Sequence, residues 1–300
     1  MIRQVLEKYG IKSDFSIKQL ALGLNKETIL INCHNKKYIL KSYSNNSKIE
    51  PLVIDYLSSE GLPVPKVFRN IDGQITTKEG SKQHAIFKYC PGVPITWNNL
   101  SDNLAEDIAK TIALMHRLLK NKKFDSLHVK KSLIDKGLVK DKEVNGLRQS
   151  IIKSSEKLDT IYLRKGVIHG DLTRQNILVD ENEDKVTAII DFGDCHYDYI
   201  AWDLAILITH IFITKSYGID WNALETFFKK YLALFPLDEK ETAVIIPFMK
   251  IRNINLAVEV VQLLEKDSEN DELKSILNSV LRKIDLIDLN QQKLREIINC

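Results

Sequence analysis

A polar loop enclosed by short apolar runs near the middle of the chain limits the possible folds more than any other segment. Val167 and Ile168 are followed by the sequence HGDLTRQN, and the runs ILV and VTAII beyond it are typical of two strands joined by the turn ENED. Such a hairpin brings Asp171 and Asn176, at the two ends of the loop, close to Asp191, which follows the second strand. Three oxygen-bearing side chains are therefore expected at one end of a rigid element.

Two carboxylates and an amide in this arrangement suit the transfer of a phosphoryl group. Asp171 can position an attacking hydroxyl group and accept its proton. Asn176 and Asp191 can hold Mg²⁺ against the phosphates of a nucleotide, because this ion prefers oxygen ligands. The alternative is that the three residues only stabilise turns, in which Asp and Asn are common. Their spacing, with a hairpin between them, favours the chemical interpretation.

The sequence changes character near residue 91, from strand-like to helical. Before that point, runs of β-branched and aromatic residues predict an antiparallel sheet, with one helix over residues 48–59. From Ser101, which can cap a helix, apolar residues recur mainly at helical spacing. The predicted fold class is α+β with two lobes: a small N-terminal antiparallel β lobe with one helix at residues 1–90, and a larger helical C-terminal lobe at residues 91–300. Further helices are expected at residues 146–163, 200–213, 220–234, 238–263 and 270–297.

Composition and charge exclude several classes of function. A formal net charge of +3 provides no basic field that would hold nucleic acid. The four cysteines have neither a CxxC pair nor metal-ligand spacing, so neither a disulfide scaffold nor a zinc site is expected. The N-terminal sequence lacks the apolar core of a secretion signal, and the longest apolar run, residues 204–213, is too short to span a bilayer. We therefore expect a cytoplasmic protein with no membrane partner and no nucleic-acid partner.

The motifs HGDLTRQN and IIDFGD resemble the catalytic and metal-binding motifs of the aminoglycoside phosphotransferase and choline kinase superfamily, whose members have a protein-kinase-like fold. Protein kinases have HRDxxxxN and DFG at these places, and Gly170 in place of the Arg is typical of the small-molecule branch. The resemblance implies that Asp171 is the catalytic base and that Asn176 and Asp191 are the metal ligands. It also implies ATP, with GTP possible, and Mg²⁺ as cofactors.

In the N-terminal lobe, the resemblance implies that Lys41, at the end of the strand YILK, binds the α- and β-phosphates of the nucleotide. Glu50, at the start of the next helix, would pair with this lysine, as kinases require. Without the resemblance, Lys41 would be taken for a solvated residue and Glu50 for a favourable acidic residue at a helix N-terminus. His169 and Asp203, the latter in the pattern YDYIAWDLAI, would support the catalytic loop.

The remaining nucleotide contacts are expected from a loop and a hinge. The loop at residues 21–28 contains Gly23 and Asn25, and the resemblance implies that it covers the phosphates. The segment FKYCP would form the hinge, with backbone groups of Lys88 and Cys90 facing the adenine.

The C-terminal region is similar to a subgroup that contains bacterial homoserine kinase, hydroxylysine kinase and certain antibiotic kinases. The shared features are the turn at residues 236–239, PLDE, and a following helix that bears Arg252. The resemblance implies an acceptor with an amino group and a hydroxyl group: an amino acid, an aminoglycoside-like antibiotic with a role in antibiotic resistance, or a related metabolite. Arg252 would suit a substrate carboxylate, or would form a salt bridge within the lobe. The other candidates for substrate contact are Asp194, His196, Asp198 and Glu259.

Two alternatives to a small-molecule kinase remain. A protein kinase needs an activation segment that ends in APE, whereas this chain reaches an apolar helix by about Ile200. A catalytically inactive member, acting as a binding or structural protein, usually lacks one of the three oxygen-bearing residues, and all three are present here. The favoured hypothesis is an ATP-dependent transfer of the γ-phosphate to a hydroxyl group of a small amino-bearing molecule, by a monomer or a homodimer.

Overall fold

A computed structural model describes most of the chain, namely residues 2–12, 14–20, 27–44, 49–98, 100–124, 127, 139–156 and 158–300. The N-terminal part forms a five-stranded antiparallel sheet in the spatial order β1-β2-β3-β5-β4. Its strands are β1 (Phe15–Leu20), β2 (Glu27–Cys33), β3 (Lys36–Ser44), β4 (Thr77–Glu79) and β5 (Lys82–Lys88).

One face of this sheet is covered by a short helix, α1 (Ile2–Lys8), which precedes the first strand. The helix and the sheet share a small apolar core made of Val5, Leu6, Ile31, Leu40 and Ile86. The side chains of Ile31, Leu40 and Ile86 meet there because β2, β3 and β5 are neighbours in the sheet. This small core is separate from the main core of the molecule, to which the other face of the sheet contributes Tyr43, Ala85 and Phe87.

The helix α2 (Ile49–Ser59) connects the sheet to the rest of the molecule. Its buried residues Val53 and Leu57 belong to the main core, which continues into the helical region. The helix ends at Gly61, whose φ of +82° allows the Leu62 N–H to donate back to the Leu57 carbonyl oxygen at 3.0 Å. Glu50, in the first turn, is held beside β3 by hydrogen bonds from Lys41 and Tyr43.

Two small antiparallel sheets follow and carry the polar loop. One pairs β7 (Lys165–Ile168) with β10 (His196–Tyr199), and the other contains β6 (Val93–Pro94), β8 (Ile177–Val179) and β9 (Val186–Ile189). The hairpin of β8 and β9 was expected from the sequence, whereas the pairing of β10 with β7 was not. Because β7 leads into the polar loop and β10 follows Asp191, this pairing closes the loop region at its base.

The remaining chain is helical, and its helices are interrupted more often than the sequence suggested. They are α3 (Asp102–Leu119), α4 (Lys142–Ser155), α5 (Ile200–Leu207), α6 (Trp221–Leu234), α7 (Glu239–Ala243), α8 (Ile245–Leu264), α9 (Asp271–Leu289) and α10 (Gln291–Ile298). A π-helical segment, Ile208–Phe212, continues α5. None of the helices in the described ranges is long and apolar enough to cross a membrane.

Three of the expected helix boundaries were wrong. The helix expected at residues 146–163 is α4, which begins earlier because Asp141 caps it by accepting from the Val144 N–H at 2.9 Å. The helix expected at 238–263 is divided at Val244, where ψ is −11°. The helix expected at 270–297 is divided at Asn290, with φ −117° and ψ 15°. The break at Val244 comes three residues before Pro247, which has no N–H to continue the helix from Ala243, whereas no Gly or Pro lies near the break at Asn290.

Aromatic residues of these helices pack within the main core, which is otherwise mostly aliphatic. Trp202 of α5 packs on Phe248 of α8 with ring centroids 5.4 Å apart, and Phe227 stacks on Tyr231 within α6 at 5.6 Å. All four side chains are buried. The core thus holds α5 and α8 directly behind the two small sheets, and this fixes the position of the polar loop.

Candidate active site

The polar loop is held from behind by Asp203 of α5. Its carboxylate accepts from the backbone N–H of His169 at 2.7 Å and from that of Gly170 at 2.8 Å. Burial alone would raise the pKa of Asp203, but the hydrogen bond and charge of His116, with Nε2 at 3.3 Å, outweigh it and lower this pKa. His116 is itself held by the hydroxyl group of Tyr231 at 2.8 Å. Asp203 thus holds the backbone of the loop from inside the core.

His169 also supports the loop and does not face the cleft. Its Nε2 lies 3.0 Å from the Ile190 carbonyl oxygen, and its Nδ1 lies 3.2 Å from the Asp171 N–H. The first contact requires a proton on Nε2 and the second requires none on Nδ1, so the imidazole is neutral. The ring also packs against Phe192 at 4.5 Å. His169 therefore links the start of the loop to the chain segment on either side of Asp191.

Gly170 adopts a backbone conformation that excludes a side chain. Its φ is +81°, and a Cβ atom at this position would lie 2.5 Å from the backbone carbonyl oxygen of Asp194. The Arg that protein kinases have at this place would therefore collide with backbone atoms. The sequence comparison identified the glycine as a family feature, and the structure gives its steric cause.

Replacing Gly170 by Ala is expected to destabilise the protein and to lower the rate of catalysis, because the added methyl group pushes the loop away from Asp194. Gly61 has almost the same φ, +82°, but open space around its Cβ position. Gly61→Ala should therefore cost only the left-handed penalty, about 1 kcal/mol, and Gly170→Ala at least about 1 kcal/mol more. Urea denaturation measures both changes, and equal losses of stability in the two variants would contradict the proposed collision.

Asp171 and Asn176 contact each other across the loop. The amide nitrogen of Asn176 donates to the backbone carbonyl oxygen of Asp171 and to its carboxylate oxygen Oδ2, both at 2.8 Å. The other carboxylate oxygen, Oδ1, lies 3.6 Å from Arg252 Nη2. Burial raises the pKa of Asp171, and the positive charge of Arg252 partly offsets this effect. Asp171 is thus a fixed carboxylate, partly exposed, between an amide and a guanidinium group.

Lys41, Glu50 and Asp191 form a second cluster next to this pair. The Lys41 Nζ lies 2.6 Å from Glu50 Oε1 and 2.9 Å from Asp191 Oδ1. Tyr43 donates to the other oxygen of Glu50 at 2.9 Å. Burial would lower the pKa of Lys41, but the two carboxylates raise it, so the ammonium group keeps its charge. The cluster joins the small sheet to the segment after β9.

An apolar cavity of about 270 Å³ opens beside the two clusters. Lys41, Glu50, Asn176 and Asp191 line one part of it. Its apolar lining includes Ile39, Ile54, Phe87, Leu178 and Ile190. Two further lining residues, Tyr89 and Gln175, lie in the segments FKYCP and HGDLTRQN but were not assigned a role from the sequence.

The hinge contributes Lys88 and Cys90 to the same cavity. The Lys88 N–H donates to the Lys66 carbonyl oxygen at 2.8 Å, so it is not available to a bound base. Among the described residues, the Lys88 carbonyl oxygen receives a long contact, 3.9 Å, from the Cys90 thiol. The expected contacts of Gly23 and Asn25 lie outside the described residues.

The acidic residues considered for substrate binding differ in burial: Asp198 is buried, whereas Glu259 is exposed. Asp198 is buried, accepts from the Tyr199 N–H at 2.8 Å and lies 3.3 Å from His196 Nε2. The Nδ1 of His196 lies 2.8 Å from the Asp194 carbonyl oxygen. Glu259 is exposed on α8, roughly 10 Å along the helix axis from Arg252. The structure therefore brings Arg252 to Asp171, and it pairs His196 with Asp198.

Two kinases are similar to this chain in sequence over most of its length. Homoserine kinase of Methylobacillus glycogenes is 26% identical over 254 residues, which cover 81% of this chain and 78% of that protein. Hydroxylysine kinase of Xenopus laevis is 25% identical over 262 residues, covering 71% of this chain and 69% of that protein. Both relatives are kinases named for a hydroxylated amino acid.

Solved structures share the fold. An amicoumacin kinase, in complex with AMP-PNP, Ca²⁺ and its antibiotic, has a TM-score of 0.75 at 17% identity, covering 95% of this chain and 93% of that one. Residues 16–232, which include the motifs HGDLTRQN and IIDFGD, match the phosphotransferase enzyme family. The chain therefore belongs to the phosphotransferase enzyme family.

Proposed function

We propose that this small-molecule phosphotransferase transfers the γ-phosphate of ATP to a hydroxyl group of a small amino-bearing molecule. In this proposal residues 1–90 bind the nucleotide, and residues 91–300 supply catalysis and substrate binding. One observation carries it: the cavity that ends at Lys41, Asp191 and Asn176 has Asp171 beside Asn176, within 2.8 Å. A nucleotide in the cavity would thus direct its terminal phosphate toward Asp171, the loop carboxylate that also contacts Arg252.

The apolar part of the cavity suits a purine base. The Lys88 carbonyl oxygen would accept from the amino group of adenine, and the Cys90 N–H would donate to the ring. Guanine has a carbonyl oxygen in place of that amino group, and two acceptors repel each other. The hinge therefore favours ATP over GTP, with the phosphates extending toward the Lys41 ammonium group.

Asn176 and Asp191 fit a magnesium ion by the chemistry of their donor atoms. Because the amide nitrogen of Asn176 donates twice to Asp171, its amide oxygen is turned away from that carboxylate. An amide oxygen and a carboxylate, completed by phosphate oxygens and water, are ligands that Mg²⁺ accepts. The bound ion would neutralise charge on the phosphates.

Asp171 would orient the acceptor hydroxyl group and take its proton. The hydroxyl oxygen forms a bond to the γ-phosphorus, the bond from that phosphorus to the β–γ bridging oxygen breaks, and ADP leaves. Asn176 holds Oδ2 of Asp171 in place, so the carboxylate needs little reorganisation as the proton moves. An amino-bearing acceptor is favoured by the names of the two relatives and of the amicoumacin kinase.

Transfer of label from γ-labelled ATP tests this proposal. The purified protein is incubated with Mg²⁺ and with homoserine, hydroxylysine, choline or aminoglycosides in turn, and the phosphorylated product is identified by mass. We expect phosphorylation of a hydroxyl group in at least one of these acceptors. Binding of ATP without transfer to any of them would favour the alternative of an inactive binding protein.

A further inference from the structure

Two cationic side chains and a histidine lie on the helical side of Asp171. Arg252 of α8 contacts Asp171, Lys283 lies on α9, which packs on α8, and His210 lies in the π-helical segment. Burial and the positive charges of Lys283, Arg252 and Arg174 together lower the pKa of His210 well below its usual value. The ion pair of Lys250 on α8 with Asp288 on α9, at 2.7 Å, sets the register of these two antiparallel helices, so Lys283 lies within about one helical turn of Arg252.

Lys283 is the least expected member of this group. It is only 7% exposed, and it lies in the apolar stripe of α9 between Val280 and Ile287. No ion pair or hydrogen bond joins its ammonium group to another part of the chain that the structure describes. Burial, followed by the charges of Arg174 and Arg252, lowers its pKa to about 8. A buried, uncompensated cation is costly to the fold, and such groups are commonly retained for function.

Arg174 has a different task within the same region. Its guanidinium group donates to the backbone carbonyl oxygens of Thr96 and Ile211, and it stacks over Trp97 at 4.7 Å. The bond to Ile211 fixes the π-helical segment that carries His210. Segments of this kind are frequent at functional sites. Arg174 is therefore a positioning residue.

We propose that Lys283 and Arg252 form a subsite for a carboxylate group of the acceptor molecule. The proposal rests on the proposed function, and it narrows the acceptor to a hydroxylated amino acid or a similar carboxylate. Arg252 would link the subsite to the reaction centre, since it already lies 3.6 Å from Asp171. A polycationic acceptor such as an aminoglycoside would meet like charges here, which disfavours it.

Matched acceptors that differ only in the carboxylate test the subsite. The pairs are homoserine and 3-aminopropan-1-ol, threonine and 1-aminopropan-2-ol, and hydroxylysine and 1,5-diaminopentan-2-ol. We expect transfer to the carboxylated member of a pair with kcat/KM at least about 10-fold above that of its partner, as one charge-assisted contact provides. Choline and kanamycin are included as cationic acceptors.

Substitution of Lys283 tests whether the preference for a carboxylated acceptor depends on the subsite. Lys283→Met should raise KM for the carboxylated acceptor about 10-fold or more and leave the KM of its decarboxylated partner unchanged. Lys283→Arg should restore part of the affinity. Lys274→Met, on the exposed part of the same helix, is the control and should change neither constant.

Three results would overturn the subsite. Equal loss of rate with both members of a pair in Lys283→Met would mean that the lysine acts on the transferred phosphate. Transfer to choline or kanamycin with none to the carboxylated acceptors would leave the proposed function standing and refute the carboxylate. Transfer to no acceptor at all would count against both.

Thermal unfolding gives a second measurement that needs no acceptor. The pKa of Lys283 is lowered from 10.5 to about 8 in the folded protein, so its charge destabilises the fold fully below pH 8, and the penalty fades between pH 8 and 10.5. Lys283→Met should therefore raise Tm at pH 7 by roughly 3–6 °C and should lose that pH dependence. A lower Tm would mean that the lysine has a structural partner, and would overturn the proposal.

Discussion

Replacement of Asp171 by Asn is expected to lower kcat at least about 10²-fold, because it removes the base that accepts the hydroxyl proton. The variant should keep its fold, since the new side chain has the same shape and can still accept from the Asn176 amide nitrogen. Nucleotide affinity should also be nearly unchanged, because Asp171 is not among the residues that line the cavity. Steady-state kinetics and calorimetric titration with AMP-PNP measure the two quantities separately.

The matched control for this variant is Asp72→Asn, in an exposed turn of the N-terminal part, which should leave kcat unchanged. Burial raises the pKa of Asp171. When the pH is lowered, the rate of the unaltered enzyme should therefore begin to fall at a higher pH than it would with an Asp of ordinary pKa. This acid limb should be absent from the residual activity of Asp171→Asn. Near-normal turnover in that variant would refute the assignment of the base.

Replacement of Asp191 by Ala is expected to abolish the Mg²⁺-dependent part of nucleotide binding. The change removes a carboxylate oxygen that we assign to the metal, together with the ion-pair partner of Lys41 at 2.9 Å. Lys41 keeps its contact with Glu50 at 2.6 Å, so the small sheet should remain intact. Circular dichroism checks the fold, and titration with ATP measures affinity in the presence and absence of Mg²⁺.

The comparison with and without the ion makes this second prediction specific. In the unaltered protein, removal of Mg²⁺ by a chelator should weaken nucleotide binding, whereas in Asp191→Ala the two titrations should coincide. Asp72→Ala should behave as the unaltered protein does. A variant whose affinity still increases on addition of Mg²⁺ would show that Asp191 is not a metal ligand.

The loop was predicted from the sequence because its residues are close together in the chain or belong to one motif. Asp171 and Asn176 are five residues apart, and Asp191 follows directly from the hairpin. Ser101 was expected to cap α3, and its hydroxyl oxygen accepts from the Leu104 N–H at 3.1 Å. Such contacts depend on the backbone geometry of a few neighbouring residues, which short patterns specify well.

The features that the sequence did not reveal depend on distant parts of the chain. Gly170 must be glycine because the carbonyl oxygen of Asp194 approaches it, which no local pattern indicates. The break at Asn290 has no Gly or Pro to mark it, whereas Pro247 does mark the break at Val244. Lys283 is visible in the sequence because it interrupts the apolar stripe of α9, although a single lysine in an amphipathic helix does not by itself indicate a site.

The alternative of a protein kinase is not supported by the chain after Asp191. A short turn, Phe192–Asp194, and the strand β10 are all that separate this residue from α5, which begins at Ile200. A protein kinase has its activation segment at this place. The space that would bind a peptide is thus organised here by β10 and by the helices around Arg252.

A crystal structure with AMP-PNP and Mg²⁺ tests the central claim most directly. We predict adenine in the cavity with its amino group at the Lys88 carbonyl oxygen, and a metal ion about 2.1 Å from the oxygens of Asn176 and Asp191. The γ-phosphate should face the carboxylate of Asp171, with room between them for one hydroxyl group. A nucleotide bound outside the cavity, or a γ-phosphate directed away from Asp171, would contradict the account.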